Sequence, residues 1–297
     1  MADAFFLWPE DRGLIRIDGA EARPFLQGIV SNDVNKVSSA RAIYAALLTP
    51  QGKYLHDFFI AELDGALMLD CEAVRRDDLL RRLARFKLRS KVSLAPGPDT
   101  HAVALIYGSA ALSAVGLATE RGAAKPYAGG VVYADPRLRE IGARAIVPRA
   151  SATTALAAAG IAPGSAADYE TLRLELGLPD GSRDLEIEKS ILLESGFDEL
   201  AGVDWDKGCY MGQELTARTH YRALIKKRLV PVRIQGPTPP PGTPIFAGGS
   251  EVGIMRSARD GAGLALLKIE ALSGIPELSA GEARIAVRKP FWLKIST

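Results

Sequence analysis

One cysteine of the sequence stands in a setting that suits thiol chemistry. Cys209 lies in the segment KGCYMGQE, directly after Gly208 and close to Gly212 and Lys207. The residues from Gln213 onward favour a helix, so the cysteine is expected in a tight turn just before a helix N-terminus. A nearby cation and helix-terminal N–H groups both favour the thiolate over the thiol. The functional interpretation is a reactive thiol, and the alternative is a small buried apolar residue.

Two carboxylates are candidates for the wall of a binding cavity. On a predicted helix over residues 169–176, Glu175 lies about 60° from the apolar stripe and therefore flanks the face that packs on the core. There it can accept two N–H bonds from a guanidine-like edge of a ligand; the alternatives are an i, i+4 partner of Thr171 and a solvated helix edge. Asp57 lies in the predicted strand LHDFF, where it faces either a central cavity or solvent.

A mixture of strands and helices must position these side chains. Period-two alternation predicts strands and 3.6-residue periodicity predicts helices. The turn sequence PQGK joins two of the strands into a hairpin, and Asp168 is the expected N-cap of the helix at 169–176. The predicted strands are 13–17, 42–49, 54–63, 67–71, 101–107, 130–133 and 144–147, and the predicted helices are 21–30, 74–91, 151–159 and 169–176.

A proline-rich segment separates this mixed region from a purely β region. The segment GPTPPPGTP at 236–244 is incompatible with a helix or a central strand. Beyond it, strand patterns alternate with glycine-rich turns, which predicts a small β-barrel or sandwich. The fold class is therefore α+β. The predicted strands of this region are 245–247, 250–257, 263–269 and 283–288.

The composition excludes several classes of function. The 297 residues carry 37 Lys and Arg against 35 Asp and Glu, and a net charge of +2 attracts neither nucleic acid nor an anionic membrane. Two cysteines and three histidines are too few for a disulfide framework or an all-protein metal site. Cys71 ends the strand LMLDC and is expected to be buried and inert. The sequence has no signal peptide or apolar membrane-spanning run, so a cytoplasmic protein is expected.

Several segments together resemble one known family. KGCYMGQELTARTHYRALIKKR is similar to the signature K-G-C-[YF]-x-G-Q-E of the YgfZ proteins. These belong to the superfamily of the glycine-cleavage T-protein (GcvT), a tetrahydrofolate-dependent aminomethyltransferase. GQELTARTH followed by the basic KKRL is most similar to the mitochondrial-type iron–sulfur assembly factors of that group. RGLIRIDGAEARPFLQGIVSNDV, ALLTPQGKYLHDFFI and ETLRLELGLP resemble further family segments, in the family's order.

The resemblance implies a three-module ring around a folate-sized hole. A T-protein-like folate-binding domain would comprise 1–45 and 110–228, a ferredoxin-like α+β module 46–109, and the C-terminal β-barrel 229–297. The implied cofactor is tetrahydrofolate or a related folate. The implied role is accessory: assembly or repair of iron–sulfur proteins, chiefly [4Fe–4S] ones, without turnover of its own. The implied partners are an iron–sulfur scaffold or client proteins, and no membrane.

The resemblance also assigns roles to individual residues. Cys209 would be the functional thiol and a transient ligand of a cluster shared with a partner, with no resident metal site. Glu175 matches the pterin-binding Glu of the T-protein stretch L-R-x-E-x-G. Asp57 matches an acid that assists aminomethyl transfer. The further cofactor-binding residues implied by the resemblance are Lys207, Tyr210, Gln213 and Arg222.

Two departures from the T-protein bear on the choice between functions. T-proteins carry a pair of acids where this chain has His56 and Asp57, and an Arg where it has Gln213. Both departures favour the iron–sulfur role over the alternative of a folate-dependent aminomethyltransferase. A third hypothesis is an RNA-modification accessory protein, because residues 75–91 hold eight Lys and Arg. This segment lacks aromatic platforms, so a solvated outer face is favoured and nucleic acid is not an expected partner.

Overall fold

The computed structural model describes residues 3–222, 225–272 and 277–294, so part of the predicted barrel range 229–297 lies outside the described residues. The chain forms two compact units. The first unit holds the chain up to Leu48, then His56–Ala166 and Ala201–Met211. The second unit holds Thr49–Leu55, Ala167–Leu200 and the described chain from Gly212 onward. The domain boundaries expected from the sequence stay predictions.

Strands and helices alternate irregularly in the first part of the chain. Its helices are α1 (Ala22–Gln27), α2 (Arg76–Lys87), α3 (Ala111–Ala114) and α4 (Arg149–Ala158). Its strands are β1 (Phe5–Leu7), β2 (Arg12–Asp18), β3 (Ile43–Leu48), β4 (Tyr54–Leu63), β5 (Ala66–Glu72), β6 (Ser93–Pro96), β7 (His101–Tyr107), β8 (Ala124–Tyr127), β9 (Gly130–Ala134), β10 (Ala143–Pro148) and β11 (Ala162–Pro163).

These strands form two sheets. One has the order β3-β4-β5-β2-β6, and the other has the order β11-β1-β7-β10-β9-β8. β3 is buried at every position, which explains why its sequence is a continuous apolar run without alternation. Helix α2 buries Leu79 and Leu83, and α4 buries Ala152 and Leu156. The helices thus contribute one apolar stripe each to the core of this unit.

A closed barrel dominates the second unit. Its helices are α5 (Ala166–Leu176), α6 (Gly181–Asp184) and α7 (Gln213–Tyr221). The barrel runs in the order β12-β15-β14-β13-β16-β17 and closes through the pairing of β12 with β17. Its strands are β12 (Lys227–Gln235), β13 (Pro244–Ala247), β14 (Ser250–Arg259), β15 (Ala262–Lys268), β16 (Leu278–Ala280) and β17 (Ala283–Val287).

The structure confirms the α+β class and the C-terminal barrel, and it corrects some details. Helix α5 begins at Ala166, so Asp168 lies inside its first turn and is not the N-cap. The sequence analysis gave no strand to β12, because Pro231 and the basic residues at its start are typical of a loop. Pro231 is tolerated there as one residue of a long pairing with β15, opposite Leu264.

A buried ion pair network links the two sheets of the first unit. Asp70 on β5 accepts hydrogen bonds from Arg12 Nε at 2.7 Å and from Arg144 on β10 at 2.7 and 2.9 Å. The guanidinium of Arg144 also lies 3.9 Å from the ring centre of Phe59 on β4. The Asp70 side chain is fully buried, so its charge is balanced by these guanidinium groups and not by water.

We expect Asp70→Asn to lower the free energy of unfolding by about 3–5 kcal/mol, because it removes the buried carboxylate charge that pairs with both Arg12 and Arg144. Urea denaturation followed by tryptophan fluorescence measures the change. Asp77→Asn is the matched control, since the Asp77 side chain is 69% exposed, and it should alter stability by less than about 0.5 kcal/mol. A loss below about 1 kcal/mol in Asp70→Asn contradicts this account of the core.

Candidate functional site

Cys209 is exposed on a loop directly before helix α7. Gly212 joins the loop to the helix with a φ of +80°, a conformation that favours glycine. A Cβ placed on Gly208 meets no atom within 4 Å, so the chain beside the cysteine borders open space. Cys71, in contrast, is only 2% exposed, and burial raises the pKa of its thiol to about 12. The thiol expected to be accessible is therefore exposed, and the thiol expected to be inert is buried.

Lys207 anchors the loop that carries the cysteine. Its Nζ donates to the backbone carbonyls of Gln27 at 2.9 Å, Val30 at 2.5 Å and Asn32 at 2.9 Å. An ammonium group has three donors, so all three are used by the backbone. The same Nζ lies 4.9 Å from the ring centre of the buried Tyr210, and burial lowers the pKa of Lys207 to about 8. Lys207 and Tyr210 therefore hold the loop in place on either side of the thiol.

A second anchor comes from two buried polar residues that the sequence analysis did not single out. Ser31 Oγ donates to the carbonyl of Gly202 at 2.6 Å and accepts the N–H of Ala46 at 2.8 Å. The side-chain amide of Asn32 donates to the carbonyl of Ala201 at 2.7 Å. These bonds fasten the chain leading into the cysteine loop to strand β3. The sequence signal was the SND triplet, which was noted only as part of a family segment.

Asp57 and His56 point in different directions from strand β4. Asp57 is buried and accepts a hydrogen bond from the hydroxyl of Tyr44 at 2.7 Å. The adjacent His56 lies 3.0 Å through its Nε2 from the carboxylate of Asp78 on helix α2. Neighbouring residues of a strand face opposite sides, so His56 and Asp57 meet different partners. Burial, together with the nearby Arg75, lowers the pKa of His56 to about 4.

Glu175 lines a pocket of about 350 Å³ between helix α5 and the barrel. The carboxylate is exposed, and two cations that the sequence analysis missed, Arg233 on β12 and Arg288 after β17, line the same pocket. Asp57 is not among the lining residues. The full lining is Thr171, Leu174, Glu175, Pro231, Val232, Arg233, Ile234, Gln235, Asp260, Gly261, Ala262 and Arg288.

The remaining expected site residues lie at the two ends of helix α7. Gln213 is its first residue and is half-buried, whereas Arg222 directly follows its end and is exposed. Neither residue lines the Glu175 pocket. Within residues 3–222, 225–272 and 277–294, no three His, Cys, Asp or Glu residues come together as a metal site. No helix in the same ranges is long and apolar enough to cross a membrane.

The buried His56 should make stability depend on pH. Its folded pKa of about 4 lies below the ordinary 6.5, so below pH 6.5 the unfolded chain takes up a proton that the folded protein does not. The contribution of neutral His56 to the free energy of unfolding is thus complete above pH 6.5 and is lost as the pH falls through 4.

Urea denaturation at a series of pH values from 7 to 4 checks this effect. Replacing His56 by Gln should flatten the change in unfolding free energy across that window, by up to about 3 kcal/mol. The control is His220→Gln at an exposed position, which should retain the full pH dependence. An unchanged slope in His56→Gln is the result that excludes this residue as the cause.

Known proteins match the chain in both fold and sequence. Residues 226–295 match the family described as CAF17, C-terminal beta-barrel domain. The crystal structure of glycine cleavage system aminomethyltransferase T from Bartonella henselae superposes with a TM-score of 0.80, over 98% of this chain and 87% of that protein. The two sequences are only 17% identical, so this match establishes the T-protein fold alone.

The iron–sulfur cluster assembly factor IBA57 is a much closer relative in sequence. The human protein is 35% identical over 95% of this chain and 83% of its own length. The mouse protein is 32% identical over 93% and 81%. Both are named as mitochondrial, so the cytoplasmic location expected from the N-terminal sequence is wrong. The lack of a secretory signal, on which that expectation rested, bears only on secretion. The identity and coverage together show that this chain belongs to the IBA57 family of iron–sulfur cluster assembly factors.

Proposed function

We propose that the protein assists the assembly or repair of iron–sulfur proteins, chiefly [4Fe–4S] ones, through the thiol of Cys209. Its membership of the IBA57 family supports the role in cluster assembly. The observation that carries the finer proposal is the exposure of Cys209 on a loop fixed by Lys207. Cys209 is exposed while its neighbour Lys207 is fixed by buried contacts, so the thiol is accessible to a partner protein.

In this proposal the protein handles the cluster and does not keep it as a cofactor, and most of the cluster's ligands come from a partner protein. One thiolate supplies one ligand, whereas clusters of this kind use four cysteines. The open space beside Gly208 leaves room for a partner's ligands. On the other side of the thiol, the N–H of Met211 donates to the carbonyl of Gly28 at 3.1 Å. A loop held at both ends loses little conformational entropy when the partner binds.

The same proposal places the protein in the YgfZ group and gives it no aminomethyl transfer of its own. The cysteine signature around Cys209 supports the group assignment. The replacement of one acid of the T-protein pair by His56 supports the absence of transfer, because an imidazole cannot supply the second carboxylate. The carboxylate of Asp57 instead accepts a hydrogen bond from Tyr44.

We further propose that the Glu175 pocket binds tetrahydrofolate or a related folate. Its volume of about 350 Å³ lies within the usual range for small-molecule sites. The Glu175 carboxylate can accept two N–H bonds from the pterin edge, and Arg233 and Arg288 can pair with the carboxylates of the glutamate tail. In this arrangement Arg233 and Arg288 are the cations that bind the folate, in place of the Arg222 that the resemblance implies.

The proposed cluster role is tested by anaerobic reconstitution with iron, sulfide and an iron–sulfur scaffold protein. In the wild type, the complex should hold a cluster that is visible by absorbance and by iron and sulfide content. Cys209→Ser should lower the cluster content by about tenfold or more, since even loss of a supporting contact can weaken metal sites to that extent. The matched control is Cys71→Ala, which should retain the cluster because Cys71 is buried.

Iodoacetamide labelling of the native wild-type protein, read by peptide mass spectrometry, gives a second test that does not depend on whether a variant folds. Cys209 should be modified first, and Cys71 only after denaturation. A cluster content unchanged in Cys209→Ser, or faster modification of Cys71, would rule out the proposed role of the thiol.

Folate binding is tested separately by isothermal titration calorimetry with tetrahydrofolate. Glu175→Gln should raise the Kd by about tenfold or more, because it replaces charge-assisted hydrogen bonds by neutral ones. Glu251→Gln, at an exposed carboxylate outside the pocket, is the matched control and should leave the Kd unchanged. Equal affinity in the wild type and Glu175→Gln removes this residue from the proposed site.

A further inference from the structure

The end of helix α2 and the loop after it carry an unbalanced positive charge. Residues 79–98 include six Lys and Arg and no Asp or Glu. Arg81 and Arg82 pair with Asp78 on the same helix. The next four cations make no ion pair within the part of the chain that the structure describes, and the Glu21 carboxylate reaches this loop by accepting the backbone N–H of Lys91 at 2.9 Å. We call this region the 85–91 surface, formed by Arg85, Phe86, Lys87, Leu88, Arg89 and Lys91.

Two large apolar side chains stand among these cations. Leu88 is 89% exposed and Phe86 is 40% exposed. The backbone at Leu88 has a φ of +43° and a ψ of −113°, outside the conformations that a leucine ordinarily adopts. Strained residues of this kind persist where the surrounding structure enforces them, and they cluster at binding sites. The fold thus presents a leucine to solvent at the position where helix α2 ends.

Lipid and nucleic acid both fit this surface poorly. A helix that lies on a membrane inserts its apolar face, but α2 uses Leu79 and Leu83 for its own core, where both are fully buried. Leu80 of the same helix is half-buried, and the exposed large apolar side chains of residues 79–98 are Phe86 and Leu88. Single-stranded nucleic acid needs several aromatic rings for stacking, and Phe86 is the only aromatic residue in 79–98.

We propose that the 85–91 surface docks an acidic protein segment that carries apolar side chains. Carboxylates of the partner would pair with Arg85, Lys87 and Arg89, and its apolar side chains would pack on Phe86 and Leu88. The charge complementarity identifies the partner as acidic, and the exposed leucine identifies it as a protein. This docking is separate from the cysteine loop and from the Glu175 pocket, so it does not rest on the proposed function.

The two parts of the surface should contribute to binding in different ways. Pairs between exposed charges mainly raise the association rate and are weakened by salt. An apolar anchor contributes through burial, which salt does not screen. The cations therefore predict a salt-dependent affinity, and Leu88 predicts a component that persists at high salt.

Fluorescence anisotropy with a defined probe tests the proposal on the full-length protein. The probe is a labelled synthetic peptide of Glu residues with Leu at helical spacing, and it is compared with the same peptide carrying Gln in place of Glu. The wild type should bind the Glu peptide more tightly than the Gln peptide, and more weakly as salt rises. The triple variant Arg85→Gln, Lys87→Gln, Arg89→Gln should lose about tenfold or more in affinity, together with most of the salt dependence.

Two further variants separate charge from apolar contact. Leu88→Ser should weaken binding by about fivefold or more at both low and high salt. The control variant Arg41→Gln, Arg284→Gln, Lys289→Gln removes three exposed cations elsewhere, and it should bind as the wild type does. All substituted positions except the half-buried Lys87 are exposed, and equal melting temperatures confirm that each variant is folded.

Three results would overturn the proposal. The first is equal binding of the Glu and Gln peptides, or no binding of either. The second is an affinity that falls as much in the control triple variant as in the surface triple variant. The third is tighter binding of single-stranded RNA or of phosphatidylglycerol vesicles than of the Glu peptide, since each would assign the surface to another class of partner.

Discussion

The placement of the exposed thiol of Cys209 depends on one ammonium group. Lys207 donates to the carbonyls of Gln27, Val30 and Asn32, which lie at and beyond the end of helix α1. Carbonyls at a helix C-terminus have no partner within the helix, and a cation is favourable there. Three donors meet three acceptors, so none of these polar groups is left unsatisfied. Cys209 is exposed because its neighbours in the loop are held this firmly.

Each unit also contains a buried guanidinium group that fixes its geometry. In the first unit Arg144 pairs with Asp70, and in the second Arg173 donates to Asp184 at 2.7 Å. Asp184 in turn accepts hydrogen bonds from Ser257 on strand β14, which ties helix α5 to the barrel. Glu175 lies two residues after Arg173 on the same helix. Helix α5 is therefore fixed by the buried pair of Arg173 and Asp184, while Glu175 on the same helix is exposed in the pocket.

The sequence predicted what local pattern determines and missed what long-range pairing creates. Each strand and helix predicted from periodicity is found in the structure, with somewhat different bounds, and Cys209 is exposed on a loop before a helix as expected. The short strands β1, β6, β8, β11 and β16 and the long strand β12 are not predicted. Arg233 and Arg288 reach the Glu175 pocket only because β12 pairs with β17, with Arg233 opposite Ala286. No local pattern indicates that closure. Strand alternation alone predicts that His56 and Asp57 face opposite sides. The partners that they meet there, Asp78 for His56 and Tyr44 for Asp57, are known only from the structure.

A single anchored thiol sets how such a factor can work. In the proposed role Cys209 supplies one ligand, so cluster binding would be a property of the complex with the partner. The contribution of this chain to that complex would then be geometric, because Lys207 and Tyr210 flank Cys209 and fix the loop on which it is exposed. Weak retention is an advantage for this task, because a cluster that must be passed on is released more readily from one fixed ligand than from a complete set.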